Sequence, residues 1–252
     1  GAHPIDMLAA TSHTLFDEFA LAGALRGQPV ELVNCTGIDV AVPAHAEIVL
    51  EGIILADEME PEGPIGDWLG YYPLVERRHI FQVERVTHRS CPVYQTILSG
   101  SAEENLLLSI SRAADALRAA KKAVGGVADI SLDPFLPVCI IKVRKQFDGE
   151  PMNALLAAFG EVPFLKIGIA VDEDVDITNM NDVLWAVVTR SNLEKDVNVL
   201  KNVLGFSRDP FDRYKSKIAI DATAPLKHKE HFRRAKVVNA DIDLESYIQS
   251  TK

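Results

Sequence analysis

The rhythm of apolar and polar positions changes part-way along the chain. Residues 5–27 read as helical in part: 18–25 is rich in Ala and Leu, and Gly27 is a helix stop. Short β-branched runs then predict strands over 30–33, 38–42 and 46–55, followed by a turn-rich segment over 58–64. A further strand is marked by Ile80, Gln82, Glu84 and Val86, but the other register, Phe81, Val83 and Arg85, is equally mixed, so its facing is not clean. The block 28–98 is therefore β-rich with short turns, as in a small barrel or sandwich. Beyond it the pattern predicts a long helix over 103–124, ended by Gly125 and Gly126. Short strands over 130–132 and 138–143 follow, then a helix over 151–159 with Pro151 in its first turn. A near-continuous apolar strand over 164–171 comes next. A helix over 182–189, capped by Asn179 or Asn181, and a strand over 197–203 complete an alternating α/β layer. Residues 227–252 are charged and end in an amphipathic pattern, which suits either a tail that docks on a partner subunit or a solvated one. No internal repeat or low-complexity tract occurs.

Composition narrows the function. With 252 residues, 48% of them hydrophobic, the chain can bury one large core or two modest ones. A formal net charge of −10 disfavours nucleic acid and anionic lipid as partners, although a local pocket could still take an acidic small molecule. Cys35, Cys91 and Cys139 are odd in number and form no C-x-x-C pair, which argues against a disulfide scaffold or structural zinc and for a reducing cytosol. No apolar run reaches membrane-spanning length and no signal peptide is visible; the start at Gly1 reads as the inside of a domain.

Candidate chemistry concentrates between residues 62 and 72, where Glu62 and Asp67 lie five residues apart around two glycines and a proline. Glycine permits close approaches and proline fixes its own φ, so such a loop can hold two acids in a set relation. Carboxylates sharing a pocket can be pushed apart in pKa, one becoming a base and the other a proton donor. A tight turn with two solvated acids is the plainer alternative.

The segment Glu62-Gly63-Pro64-Ile65-Gly66-Asp67-Trp68-Leu69-Gly70-Tyr71 resembles the signature Glu-Gly-Pro-x-Gly-(Glu/Asp)-x-x-Gly-Tyr of the UbiD family of prenylated-flavin decarboxylases. Other stretches agree in order. Gly1-Ala2-His3-Pro4 is similar to Gly-x-(His/Pro)-Pro, residues 21–33 to A-G-A-L-x-G-x-P-V-E-L-V, and residues 42–52 to V-P-A-x-A-E-I-V-(I/L)-E-G. Residues 171–176 and 182–190 resemble V-D-E-D-(V/I)-D and D-V-(L/I)-W-A-x-x-T-R, and 216–223 resembles S-K-x-G-(I/L)-D-A-T.

The resemblance implies an α/β chain, α+β overall. Part of a flavin-reductase-like split β-barrel (1–98) would be followed by a C-terminal α/β domain (99–225) and a tail (226–252) that could dock on another subunit. It implies non-oxidative, reversible decarboxylation of an aromatic, heteroaromatic or α,β-unsaturated acid with prenylated FMN, Mn²⁺ (or Mg²⁺) and K⁺. Asp67 would donate the proton that replaces CO2, and Glu62 would orient an arginine. Glu18 matches the acidic ligand of the divalent ion. Ala9, Ala10, Thr11 and Ser12 match a stretch whose carbonyls help hold K⁺, with Thr11 and Ser12 also beside the cofactor; Arg190 and Asp221 are further candidates near K⁺. Lys166 matches a position that contacts the cofactor phosphate, and a lysine snorkelling from a strand end is its plainer reading. A cytoplasmic homo-oligomer, dimer or hexamer, supplied with cofactor by a flavin prenyltransferase, completes the implied picture.

Three features are set aside. Asp172 to Asp176 has the charge of a calcium loop, but Ile177 stands where glycine is required. Gly125-Gly126 lacks a phosphate-loop context. His228 and His231 lie in a basic stretch that reads as solvated. The family's arginine, and the Asn and His that complete its metal site, lie upstream of the Gly-x-His-Pro stretch and have no counterpart here. The sequence is thus expected to be a fragment, one of two separate chains, or a non-catalytic flavin-binding or assembly subunit. An ordinary FMN reductase is a weaker alternative, since hydride transfer needs no acid pair.

Overall fold

Alternation along one strand explains how the second half of the chain is built. The structure, a computed structural model, describes residues 3–12, 17–72, 76–133, 137–205 and 216–235. In strand β6 (Val138–Val143), Cys139, Ile141 and Val143 face one buried cluster while Val138 and Ile140 face another, as the two-residue side-chain period of a strand requires. Both faces of this sheet are therefore covered. It has five strands in the order β5 (Val127–Leu132), β6, β7 (Ile167–Val171), β9 (Ser216–Ala222) and β8 (Val197–Lys201). The central three are parallel and the two edge strands antiparallel.

On one face lie α3 (Ala102–Ala123) and α4 (Glu150–Glu161), which bring Ala116, Ala120, Leu155, Ala158 and Phe159 onto the sheet. On the other lies α5 (Met180–Arg190), contributing Val183 and Ala186. The Ser101 hydroxyl caps α3 by accepting from the Glu104 amide, and the Glu104 carboxylate accepts from the Gly100 amide. Gly168 allows α4 to seat: a Cβ there would lie 2.7 Å from Phe159 and 2.8 Å from Leu155.

The first half is built differently. Helices α1 (Pro4–Ala10) and α2 (Glu18–Arg26) precede a short pair, β1 (Leu32–Asn34) with β2 (Ala41–Pro43), and a long antiparallel hairpin, β3 (Ile48–Glu62) with β4 (Glu76–His88). The hairpin carries apolar pairs directly opposite each other, Leu50 with Val86 and Ile54 with Phe81, yet all four are exposed. Its one deeply buried side chain is charged. The Glu51 carboxylate accepts from the Thr36 and Gly37 amides and the Thr36 hydroxyl. Burial alone would raise its pKa; those bonds and nearby Arg85 outweigh it and hold the carboxyl below its usual range.

The mixed α/β class agrees with the sequence, and most elements lie where expected. Two differences matter. Residues 58–62, read as a turn, continue β3, because the register sets Glu60 and Pro61 opposite Arg78 and Arg77 and so offsets the acidic run. Strand β9, which the pattern left unassigned, is central in the sheet. Residues 164–166 precede β7 and are not part of it. Of the tail, Leu226–Phe232 forms a 3₁₀ segment, and the amphipathic end lies outside the described residues. Among the described residues no helix is long and apolar enough to cross a membrane.

Candidate active site

Strand β3 delivers Glu62 to the edge of the hairpin, and the chain then turns through a cis Gly63–Pro64 bond, with Gly63 at φ 114°. The next residues fold back on themselves. The Asp67 amide donates to the Tyr71 carbonyl and the Gly70 amide to the Asp67 carbonyl, each at 2.8 Å, with Gly70 at φ 79°, a conformation glycine adopts without strain. The Asp67 carboxylate accepts from the neighbouring Trp68 amide at 2.8 Å and is half-buried.

The α/β half fixes this loop from one side. The Trp68 ring meets Phe164 edge-on at 5.5 Å between centroids. The Asn105 side-chain amide donates to the Trp68 carbonyl at 3.4 Å, and the Ser99 hydroxyl donates to the Gly66 carbonyl at 2.6 Å. Gly100 passes so close that a Cβ would lie 3.2 Å from the Asp67 carbonyl oxygen. Arg112 stands over the Phe164 ring at 5.8 Å from its centroid. Asn105, Phe164 and Arg112 had no signal in the sequence, since each reaches the loop from a distant element.

Glu62, by contrast, is open. Its nearest cation is Arg78 of the facing strand, at 3.8 Å, and its side chain is 58% exposed. Arg78 also pairs with Glu76. Glu62 thus ends β3 and is exposed, and Asp67 lies on the loop that follows, held by its contacts with Ser99, Gly100 and the neighbours of Trp68.

Ala9, Ala10, Thr11 and Ser12 form the C-terminal end of α1, where helix carbonyls lack intrahelical partners and the helix dipole favours cations. The Thr11 carbonyl accepts from Ser111 of α3 at 3.2 Å and the Ala9 carbonyl from the Ser12 amide at 3.1 Å, which leaves each oxygen a second lone pair. This end packs on the same helix that carries Asn105 and Arg112. Glu18 is exposed in the first turn of α2, next to the capping residue Asp17. One carboxylate and a row of carbonyls are hard oxygen donors of the kind Mn²⁺, Mg²⁺ and K⁺ accept, but they are only part of a coordination set. Lys166 is half-buried at the entry to β7, two residues from Phe164.

Arg190 and Asp221 are not brought to this neighbourhood. They lie at the opposite end of the sheet, about 13 Å of strand away at roughly 3.3 Å per residue. Arg190 is buried and donates to Asp172 at 2.8 Å, to both oxygens of Asp174 at 2.7–2.8 Å, and to the Phe232 carbonyl at 3.3 Å. Its hydrogen bonds hold the Asp174 carboxyl below the ordinary range. Burial raises the Asp221 pKa, against the opposing pull of Thr223, whose hydroxyl and amide both donate to Asp221. Both are structural partners at the base of the tail. The calcium-loop residues are spent in the same way: Glu173 pairs with Arg144 and Asp176 with Thr178. His228 and His231 are exposed, with Glu230 close to both.

A cleft of about 580 Å³ between α1, the β1–β2 pair and residues 93–97 shares no residue with the acidic loop. Its Asp6–Arg26 ion pair and Glu31–His45 hydrogen bond already engage these side chains with one another.

Comparison with known proteins follows the same division. The 3-octaprenyl-4-hydroxybenzoate carboxy-lyase Rift-related domain matches residues 1–102, and the corresponding C-terminal domain matches residues 105–222. Among solved structures, the UbiD-class enzyme HmfF from Pelotomaculum thermopropionicum, in complex with FMN, superposes with a TM-score of 0.92 at 39% identity, over 98% of this chain and 57% of that one. The 3,4-dihydroxybenzoic acid decarboxylase AroY of Klebsiella pneumoniae gives 0.84 at 28% identity, over 98% and 57%. The vanillic acid decarboxylase of Sedimentibacter hydroxybenzoicus gives 0.82 at 26%, over 98% and 55%. The chain spans little more than half the length of these proteins.

Proposed function

This chain belongs to the UbiD family, and from that we propose that it is the C-terminal portion of a decarboxylase acting on an aromatic, heteroaromatic or α,β-unsaturated carboxylic acid. Residues 1–98 would complete a split barrel with the remaining segment, and 99–225 would form the α/β domain against which the acidic loop is set. Prenylated FMN, when bound, supplies the electron-withdrawing capacity that lets a carboxylate leave as CO2.

The chain's own residues do the rest. The carbon that loses CO2 must gain a proton, and in this reading Asp67 gives it. Asp67 is half-buried on a loop fixed through Trp68, Ser99 and Asn105, so its position is set without ordering cost at the moment of reaction. Glu62, turned to the open side, orients an arginine carried by the remaining segment. Glu18 would hold Mn²⁺ or Mg²⁺, the carbonyls of Ala9, Ala10, Thr11 and Ser12 would hold K⁺, and Lys166 would meet the cofactor phosphate. Arg190 and Asp221 are better read as anchors of the C-terminal segment. A cytoplasmic homo-oligomer, its cofactor supplied by a flavin prenyltransferase, suits a protein of this class.

The observation that supports the reading is the contrast along this segment: Asp67 is buttressed by Ser99, Asn105 and, through Trp68, Phe164, while Glu62, the last residue of β3, stands exposed at the end of the hairpin. In the full-length enzyme loaded with cofactor, Asp67→Asn should lower CO2 release by about 10²–10⁴-fold while cofactor stays bound. Full activity in that variant would refute the assignment. No CO2 release from the unmodified full-length protein, across a panel of such acids, would favour a non-catalytic flavin-binding or assembly subunit.

A further inference from the structure

Lys217 is a buried ammonium with no carboxylate partner among the described residues. It stands second in β9, and its Nζ donates to the carbonyls of Pro163 and, at 2.9 Å, Leu165. The Phe159 ring lies 5.1 Å from the same nitrogen. The amide of the next residue, Ile218, donates to the Lys166 carbonyl at 2.9 Å. The start of β9 therefore grips three carbonyls of the connection between α4 and β7. The residue enclosed by that grip is Phe164, whose ring meets Trp68, the neighbour of Asp67.

We infer that Lys217 is a positioning residue for the Asp67 loop: by tying the carbonyls on both sides of Phe164, it presents that ring to Trp68 and so sets where Asp67 stands. The inference rests on the proposed role of Asp67. A lysine kept charged inside a core is costly unless it is hydrogen-bonded, and burial pushes this one down to about 8. A methionine would fill the space at lower cost. The ammonium does what methionine cannot, supplying several donors from one point to carbonyls that face each other across a bend.

The test uses the full-length, cofactor-loaded enzyme labelled with 5-fluorotryptophan, the Trp68 resonance being assigned with Trp68→Phe. Lys217→Met should shift the Trp68 ¹⁹F resonance and lower kcat by about 10–100-fold with KM little changed, the size expected for a misplacement on the order of an ångström. Phe164→Leu, which leaves the lysine untouched, should move the same resonance and lower kcat similarly. In the double variant the effect of Lys217→Met on kcat should vanish, because both changes act through one ring. An unmoved Trp68 resonance in either single variant overturns the inference. So does a Lys217→Met loss that persists undiminished on top of Phe164→Leu. If Lys217→Met does not fold, Phe164→Leu alone decides: unchanged kcat there overturns it too. Full activity of Asp67→Asn would sink the role of Asp67, while the Trp68 resonance would still report whether Lys217 sets the loop.

Discussion

The two halves of this molecule share a chain but not a state of completion. In the α/β half, a five-stranded sheet is covered on both faces, and its largest fully buried side chains include Ile141, Leu155 and Leu165. In the first half, Leu50, Ile53, Ile54, Phe81, Val83 and Val86 stand exposed on a two-stranded hairpin, and the one deeply buried side chain of that hairpin is the carboxylate of Glu51. A hairpin of this kind is marginal in water, and its contiguous exposed apolar pairs are the feature expected of the proposed closure by a further segment. The acidic loop lies on the border between the two. Its finished side fixes Asp67 and its unfinished side leaves Glu62 open, so the difference between the halves is also the difference between the two acids.

The largest expected effect tests whether the α/β half is self-contained. Arg190→Met leaves buried Asp172 with only the more distant Lys229 ammonium, at 3.8 Å, as a cation partner and should cost up to about 3–5 kcal/mol in urea unfolding. A loss under about 1 kcal/mol would mean the Asp172–Arg190–Asp174 group is not the anchor described. Next, Leu155→Ala should cost about 2–5 kcal/mol in this chain on its own. Ile54→Ala should change it by less than about 0.5 kcal/mol here, yet cost about 2 kcal/mol or more in the full-length protein. Equal costs for Ile54→Ala in the two backgrounds would break the comparison.

A smaller effect follows from Lys217. Its pKa in the native state is about 8 against 10.5 for an ordinary lysine, so below pH 8 both states hold the proton and the cost of burial is fully present. Between about 8 and 10.5 the unfolded chain binds more protons, and stability from this group rises with pH. The stability of the unmodified protein, measured by unfolding, should therefore rise relative to that of Lys217→Met from pH 7 to 10; a constant gap would mean the ammonium is not strained by burial.

How much of this was legible depended on range. Elements with local signals were readable: the body of α3 up to its stop before Gly125-Gly126, the Asn179 cap of α5, and the apolar run of β6. Strand β9 was not, because Lys217 and Asp221 interrupt its apolar run and only the buried carbonyls of Pro163 and Leu165 explain the lysine. The extension of β3 through Glu62 was hidden because residues 58–62 carry turn-like chemistry, and the arginines that balance it lie on the returning strand. The acid pair itself was visible as a loop with glycines at 63, 66 and 70, yet its support came from Ser99, Asn105 and Phe164, at separations no local pattern encodes. Arg190 stood in a motif that suggested an ion site; its pairing with buried Asp172 and exposed Asp174 joins two stretches that no local pattern connects.

Amide hydrogen exchange, measured strand by strand on this chain alone and within the full-length protein, tests the unfinished-half account most directly. Amides of β6, β7 and β9 should be protected alike in both, while those of β3 and β4 should gain about 100-fold or more in the longer protein. Equal protection of β3 and β4 in the two samples would contradict it.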